Sequence, residues 1–361
     1  MSSNPASQFV PAAKSSLPRV LMVSSFVSPQ NGSHSVAADL ADKLAPLTSQ
    51  ILRVSAQRSG LLRSLDMLAT TTLRRRSYDV AIVGLYSGRA FLWGEAVSSL
   101  LARLACPFVL SLHGGRLPEF SATQAQRVRA CLQKATVVTA PSAYLREQMR
   151  AYHDNIQIVP NPLEIARYDF RLRSQPQPRL LWLRAFHEIY HPALAVTVTA
   201  ELARQFPDIQ LIMVGPDKGD GSQQHVTQLA RELGVSDRLA LPGGIANHEV
   251  PQWLQRGDIF LNTTNIDNTP VSVLEAMACG LCVVSTNVGG LPYLLTHEHD
   301  ALLVPPNDPA AMTQAVRRLL TEPELAARLS ANARRKAESF AWENVLPQWQ
   351  RLLTDLTTQR R

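Results

Sequence analysis

One alternation runs through this 361-residue chain twice and constrains it more than any other feature. Apolar, β-rich runs at 19–26, 79–86, 107–113, 135–140 and 155–160 are separated by segments with a helical apolar period, such as 91–104 and 142–150. After a pause, similar runs follow at 180–186, 209–215, 238–244, 258–264 and 281–287. A strand that is apolar throughout has no face to offer water, so each series predicts a parallel sheet covered by helices on both sides. The pause at 161–178 concentrates Pro and polar residues without an apolar face, as a linker does. The expected architecture is α/β: two Rossmann-like, doubly wound domains at 18–160 and 179–341, facing a central cleft. Such a length is too great for one ordinary core, which also argues for two domains. Residues 1–17, rich in Ser, Pro and Ala, read as a disordered leader.

Composition narrows the setting. The chain has no run approaching the roughly 18 apolar residues of a membrane span, and its first 17 residues lack the apolar core of a signal peptide. A cytoplasmic protein is expected. Cys106 and Cys131 are far apart, and Cys279 with Cys282 form a lone CxxC without a second ligand pair, so small apolar filler is the favoured reading over zinc or redox chemistry. Residues 1–165 hold 17 Lys and Arg against 9 Asp and Glu, whereas the remainder holds 19 against 20. The positive charge therefore belongs to the first half, which suits a surface that meets an anionic partner such as a phospholipid leaflet, a lipid-linked phosphate or an acidic glycan. Between 60 and 76, Leu61, Leu62, Leu65, Met67, Leu68 and Leu73 lie among Arg63, Arg74, Arg75 and Arg76 in an amphipathic pattern. A peripheral membrane helix and a solvated surface helix both fit that pattern. Nucleic acid is not expected, because the arginines are scattered without interleaved stacking aromatics.

Open parallel sheets bind ligands beyond the carboxyl ends of their strands. Past the run at 258–264 the sequence reads "NIDNTPVSVLEAMACG". Thr269 is expected to cap a helix with Pro270 at its first position, leaving the Val271 and Ser272 amides free to hold an anion such as a diphosphate. Glu275, in the next turn, can accept hydrogen bonds from a vicinal diol such as a ribose. Asp267 stands just before the cap. Arg184 ends the buried run at 180–186, where a phosphate partner would explain it better than solvent. Gly32 lies in a Pro-Gly loop after the first run and permits close backbone approach. His113 precedes Gly114 and Gly115 at another strand end, a place from which an imidazole can orient a substrate. The glycine pair recurs at Gly289 and Gly290.

From about residue 19 to 358 the chain resembles a family 4 glycosyltransferase of the GT-B fold. The resemblance rests on 267–290, where two acids separated by seven residues are followed by "EAMACG" and a glycine pair. It implies a nucleotide-sugar donor, retention of anomeric configuration, and no metal or other cofactor. Glu275 would then hold the ribose, the amides of Thr269 to Ser272 and the Arg184 guanidinium the diphosphate, and Gly32 would face the phosphates from the first domain. His113 would contact the donor sugar, with Asp267 positioning it. The segment 342–358 resembles the family's closing helix, which returns across the first domain. Three positions depart from the pattern: Asp267 stands where Glu is usual, Tyr190 and His191 stand near the place of a Lys, and Gly32-Ser33 replaces a glycine pair.

The function expected is transfer of a hexosyl group from a nucleoside diphosphate sugar to a glycan, lipid-linked or small-molecule acceptor. Epimerisation of a nucleotide sugar and silent nucleotide-sugar binding are the alternatives. Transfer to an acceptor separates the first from both.

Overall fold

A computed structural model describes residues 17–26 and 36–358. The first half holds β1 (Val20–Val23), α1 (Val36–Leu44), β2 (Ile51–Val54), α2 (Gly60–Leu73), β3 (Val80–Leu85), α3 (Arg89–Arg103), β4 (Phe108–Leu112), α4 (Leu117–Thr123), α5 (Ala125–Leu132), β5 (Val137–Ala140), α6 (Ala143–Met149) and β6 (Ile156–Ile158). The second half holds β7 (Arg179–Leu183), α7 (Pro192–Ala203), β8 (Gln210–Val214), α8 (Ser222–Glu232), β9 (Leu239–Gly243), α9 (Val250–Leu254), β10 (Ile259–Asn262), α10 (Val271–Ala278), β11 (Cys282–Thr286), α11 (Leu291–Leu294), β12 (Leu302–Val304), α12 (Pro309–Thr321), α13 (Pro323–Glu338) and α14 (Trp342–Thr358).

Each half forms a six-stranded sheet, in the orders β2-β1-β3-β4-β5-β6 and β12-β11-β10-β7-β8-β9. All pairings are parallel, for example Ile259 against Cys282 and Val83 against Leu110. This is the two-domain α/β architecture expected from the alternation. The central strands β1, β3, β4, β10 and β11 are buried along their whole length, which is why they read as unbroken apolar runs. Two strands carry no such signal: β2 is half exposed at one edge, and β12 is three residues long at another. The strand order reverses between β1 and β3 in the first sheet and between β7 and β10 in the second.

Two segments tie the halves together. Trp342, Val345, Trp349, Leu353 and Leu356 of α14 repeat at helical spacing and pack with Val20, Met22, Val80 and Ile82 of the first sheet, so the chain's last helix covers the domain formed by its first residues. The 161–178 segment, expected to be a polar linker, packs against the second domain instead: Tyr168 is 3% and Arg173 2% exposed. Asp258, just before β10, takes hydrogen bonds from Arg171 (2.6 Å), Arg173 (3.3 Å) and Arg179 (2.8 Å), which gives that buried carboxylate more cationic partners than its own charge can balance. The expected leader at 1–17 lies outside the described residues except for Leu17, whose bridge to Thr48 extends the first sheet.

Candidate functional site

Arg184 follows β7 and Asp267 follows β10, so the two flank the point at which the second sheet's strand order reverses. Loops on either side of such a point diverge and leave a crevice between them. The Arg184 amide donates to the Val214 carbonyl at 3.0 Å, and the chain beyond β8 presses so close that a Cβ on Gly215 would sit 1.7 Å from the Arg184 carbonyl oxygen. Its guanidinium lies 4.5 Å from the centre of the Tyr190 ring and forms an ion pair with Asp267. The Arg184 Nε atom is buried without a hydrogen-bond partner.

The loop after β10 is held from several directions. Thr263 Oγ1 accepts from Trp182 Nε1 at 2.9 Å and donates to the Tyr190 carbonyl at 2.7 Å, while Thr286 Oγ1 donates to the Thr264 carbonyl at 2.6 Å. The Gly290 amide donates to the Asp267 carbonyl at 2.9 Å. A Cβ on Gly289 would meet that carbonyl at 2.2 Å, and one on Gly290 would meet the Asn268 carbonyl at 1.8 Å. Close backbone approach accounts for both glycines of the pair.

Thr269 does not cap α10. Its hydroxyl turns to Asn268 Oδ1 at 3.4 Å, and Pro270, in extended geometry, occupies the cap position with Val271 as the first helical residue. The reason is that Pro270 has an extended ψ of 118°, so helical geometry begins only at Val271. Helix geometry still leaves the Val271 and Ser272 amides without an intrahelical acceptor. Ser272 Oγ is buried and unpartnered beside them. Glu275, 7% exposed, accepts from the Tyr168 hydroxyl at 2.7 Å. Burial pushes the Glu275 carboxyl up, opposed by Tyr168 and by the charges of Arg167 and Arg184. Burial also pushes Asp267 up, and the pairing with Arg184 only partly offsets it.

Across the cleft His113 follows β4, its amide bonded to the Leu85 carbonyl at 2.8 Å and its ring stacked on Tyr86 at 5.1 Å between centroids. Burial pushes its pKa down to about 4, so the imidazole is neutral at physiological pH. Tyr86 Oη lies 3.2 Å from Ser24 Oγ. Ser24, Gly84, His113, Pro160 and Trp349 line a cavity of about 510 Å³ of empty space open to solvent. The domains touch beside it, where Ser142 Oγ donates to Asn268 Oδ1 at 2.8 Å and Tyr144 meets Tyr293 at 5.6 Å. β5, which leads to Ser142, is the neighbour of β4, so His113 and the 267–272 loop face the same cleft.

The structure therefore gathers Arg184, Asp267, Thr269, Pro270, Val271, Ser272 and Glu275 at one crevice, with His113 on the facing domain. Gly32 lies outside the described residues. Tyr168 and Tyr86 escaped the sequence reading. Tyr168 sits in an aperiodic segment 107 positions from its partner, and nothing local marks it.

Two family descriptions match the chain: Glycosyltransferase Family 4 over residues 32–167 and Glycosyl transferases group 1 over 167–336. Together they run without a gap from residue 32 to residue 336, leaving out β1 and α14. The chain belongs to glycosyltransferase family 4. A D-inositol 3-phosphate glycosyltransferase of Frankia alni is 31% identical over 45% of this chain and 42% of its own length. One from Rhodococcus jostii is 25% identical over 70% of this chain and 60% of its own length. The chain thus matches less than two thirds of these relatives. Among solved structures, sucrose-phosphate synthase from Thermosynechococcus elongatus superposes with a TM-score of 0.72 at 18% identity, covering 94% of this chain and 99% of that one. Anabaena HepE in complex with UDP-glucose does so with 0.68 at 18%, covering 94% and 100%. At such identity these neighbours establish the fold, which is GT-B.

Proposed function

We propose that this protein is a retaining, metal-independent glycosyltransferase that moves a hexosyl group from a nucleoside diphosphate sugar to a glycan, lipid-linked or small-molecule acceptor. The observation that carries the reading is two buried, unpartnered polar atoms, Arg184 Nε after β7 and Ser272 Oγ in the turn whose amides open α10. Buried polar groups without partners are rare in folded proteins, and a diphosphate would satisfy a guanidinium, a hydroxyl and two amides together.

The chemistry follows from the leaving group. As the bond from the anomeric carbon to the diphosphate lengthens, negative charge collects on phosphate oxygens, and donors fixed in advance at that place stabilise the transition state more than the ground state. Arg184 and the start of α10 are those donors. The acceptor hydroxyl approaches on the face the diphosphate leaves, so the phosphate oxygen itself takes its proton and no side-chain base is needed. Asp267 and neutral His113 hold the sugar hydroxyls. A sugar hydroxyl that donates to Asp267 draws that carboxylate from Arg184, which is then free for the phosphates.

HepE is seen with UDP and UDP-glucose, which makes uridine donors the first to assay. The test is release of nucleoside diphosphate that depends on an acceptor, followed by assignment of the product's anomeric configuration. Inversion, or a requirement for a divalent cation, would overturn the mechanism.

The acceptor side carries a second proposal. Leu61, Leu62 and Leu65 of α2 are 72%, 54% and 54% exposed, and Leu73 is 82% exposed beside the Arg74 to Arg76 run. An apolar helix face rimmed by arginines suits the anionic inner face of a membrane, against which a cytoplasmic enzyme reaches lipid-linked acceptors. Among the described residues no helix is long and apolar enough to cross a bilayer.

A further inference from the structure

Glu275 is gripped by the segment that leads into its domain and packs in the same core as α10. The Tyr168 hydroxyl donates to Glu275 Oε1 at 2.7 Å, and the contact is buried. The segment that carries Tyr168 is strapped to α10 at further points. Arg334 Nη1 donates to the carbonyls of both Tyr168 (2.9 Å) and Ala278 (2.7 Å), and the Arg171 amide donates to the Cys279 carbonyl at 3.2 Å. Gly280 has φ of +78°, and a Cβ there would stand 2.5 Å from the Arg171 carbonyl, so the strap fits only against a glycine. Four residues before Tyr168, Glu164 pairs with Lys43 of α1 at 3.0 Å, and the Leu163 amide donates to the Phe340 carbonyl at 2.7 Å. The chain passes from a contact with the first domain to the Glu275 carboxylate within five residues.

A carboxylate that must accept two bonds from a cis-diol works best when its plane is fixed in advance, because otherwise binding must freeze the side chain. A phenol is suited to the task. It donates one bond to one oxygen, stays protonated at physiological pH, and leaves the other oxygen to a ligand.

We propose that Tyr168 is a positioning residue for the donor nucleotide: its hydroxyl orients Glu275 toward the ribose diol and so sets the enzyme's preference for ribonucleotides. The proposal rests on the reading of Glu275 as the ribose acceptor. It makes a prediction that a purely structural tyrosine would not. Tyr168→Phe keeps the ring and removes only the donor, so its effect should depend on whether the ligand has the 2′-hydroxyl.

The experiment titrates the full-length wild type and Tyr168→Phe with UDP and with 2′-deoxy-UDP, and with the guanosine pair if uridine nucleotides do not bind. The wild type is expected to favour the ribonucleotide about tenfold, the size of one good hydrogen bond to a charged group. Tyr168→Phe is expected to lose most of that preference through weaker ribonucleotide binding, with 2′-deoxy binding changed less than about twofold. A pH series adds an independent reading. The groups acting on Glu275 are Tyr168 and Arg167 on the strap, Arg184 beyond β7, and Cys279 on its own helix. Loss of the Tyr168 bond raises the Glu275 pKa further, so ribonucleotide affinity in the variant should begin to fall at a higher pH. Equal affinities, equal 2′-hydroxyl preference and an unmoved pH profile in the variant would overturn the role of Tyr168. Absence of nucleotide binding by the wild type would overturn the donor-site reading itself.

Discussion

Arg184 and Asp267 form an ion pair across the crevice, and the proposed function needs each of them for a different part of the donor. The pair is mostly withdrawn from solvent, with side chains 21% and 11% exposed, so breaking it without replacement is unfavourable. Arg184→Ala removes the guanidinium paired with Asp267 and leaves that buried carboxylate without its cation. Turnover at saturating donor should fall about 10²–10³-fold, measured as kcat, as when one oxyanion donor is deleted. Gly290→Ala tests the same loop from behind. Its Cβ would land 1.8 Å from the Asn268 carbonyl, so the 267–268 turn must move, at about 1–3 kcal/mol in thermal stability and with donor affinity lost. His113 makes a prediction in pH. Its folded pKa of about 4 lies below the ordinary 6.5, so between those values the unfolded chain binds a proton that the folded protein does not. Its contribution to stability is therefore complete above pH 6.5 and is lost as pH falls toward 4. His113→Gln should flatten that part of the curve of melting temperature against pH. An unchanged slope would mean that the imidazole titrates normally.

At the scale of elements, the site depends on α10, a helix buried on nearly every side between β10, β11 and α13. Asp258 anchors the strap beneath it through Arg171, Arg173 and Arg179. Arg173 is fully buried, so Asp258→Asn leaves a guanidinium without a counter-charge and should cost about 3–5 kcal/mol in chemical denaturation. A loss below about 1 kcal/mol would show that carbonyl groups alone satisfy Arg173. Much of this level was legible in the sequence. The strands of both sheet centres are apolar throughout and declared themselves. Arg184, Asp267 and Glu275 could be singled out because the first two follow strands β7 and β10 and Glu275 lies in the second turn of α10. Strands β2 and β12 were not, because they are only four and three residues long and β2 carries Arg53 within its run. The cap was misread at Thr269 because helical geometry begins one residue later than the sequence suggests, at Val271. Tyr168 could not be found, since its partner is fixed only when the strap folds back on α10.

At the scale of the whole molecule, two sheets present their carboxyl ends to one cleft, and the last helix returns to cover the first sheet. The domains touch through Ser142 and Asn268, one residue from Asp267, so the interdomain contact and the proposed donor site share one loop. The basic first half and the exposed leucines of α2 give the molecule a side to present to an anionic surface. Co-sedimentation should detect binding to phosphatidylglycerol vesicles, lost on replacing Leu61, Leu62 and Leu65 with Ser. Equal binding to neutral vesicles, or none to either, would contradict a membrane role. The central claim is that the crevice between Arg184 and α10 holds a nucleoside diphosphate. Calorimetric titration with UDP, GDP, ADP and CMP tests it most directly. The expected result is selective micromolar binding of one diphosphate that Glu275→Ala abolishes. Failure of all four to bind, or binding that survives loss of Glu275, would contradict it.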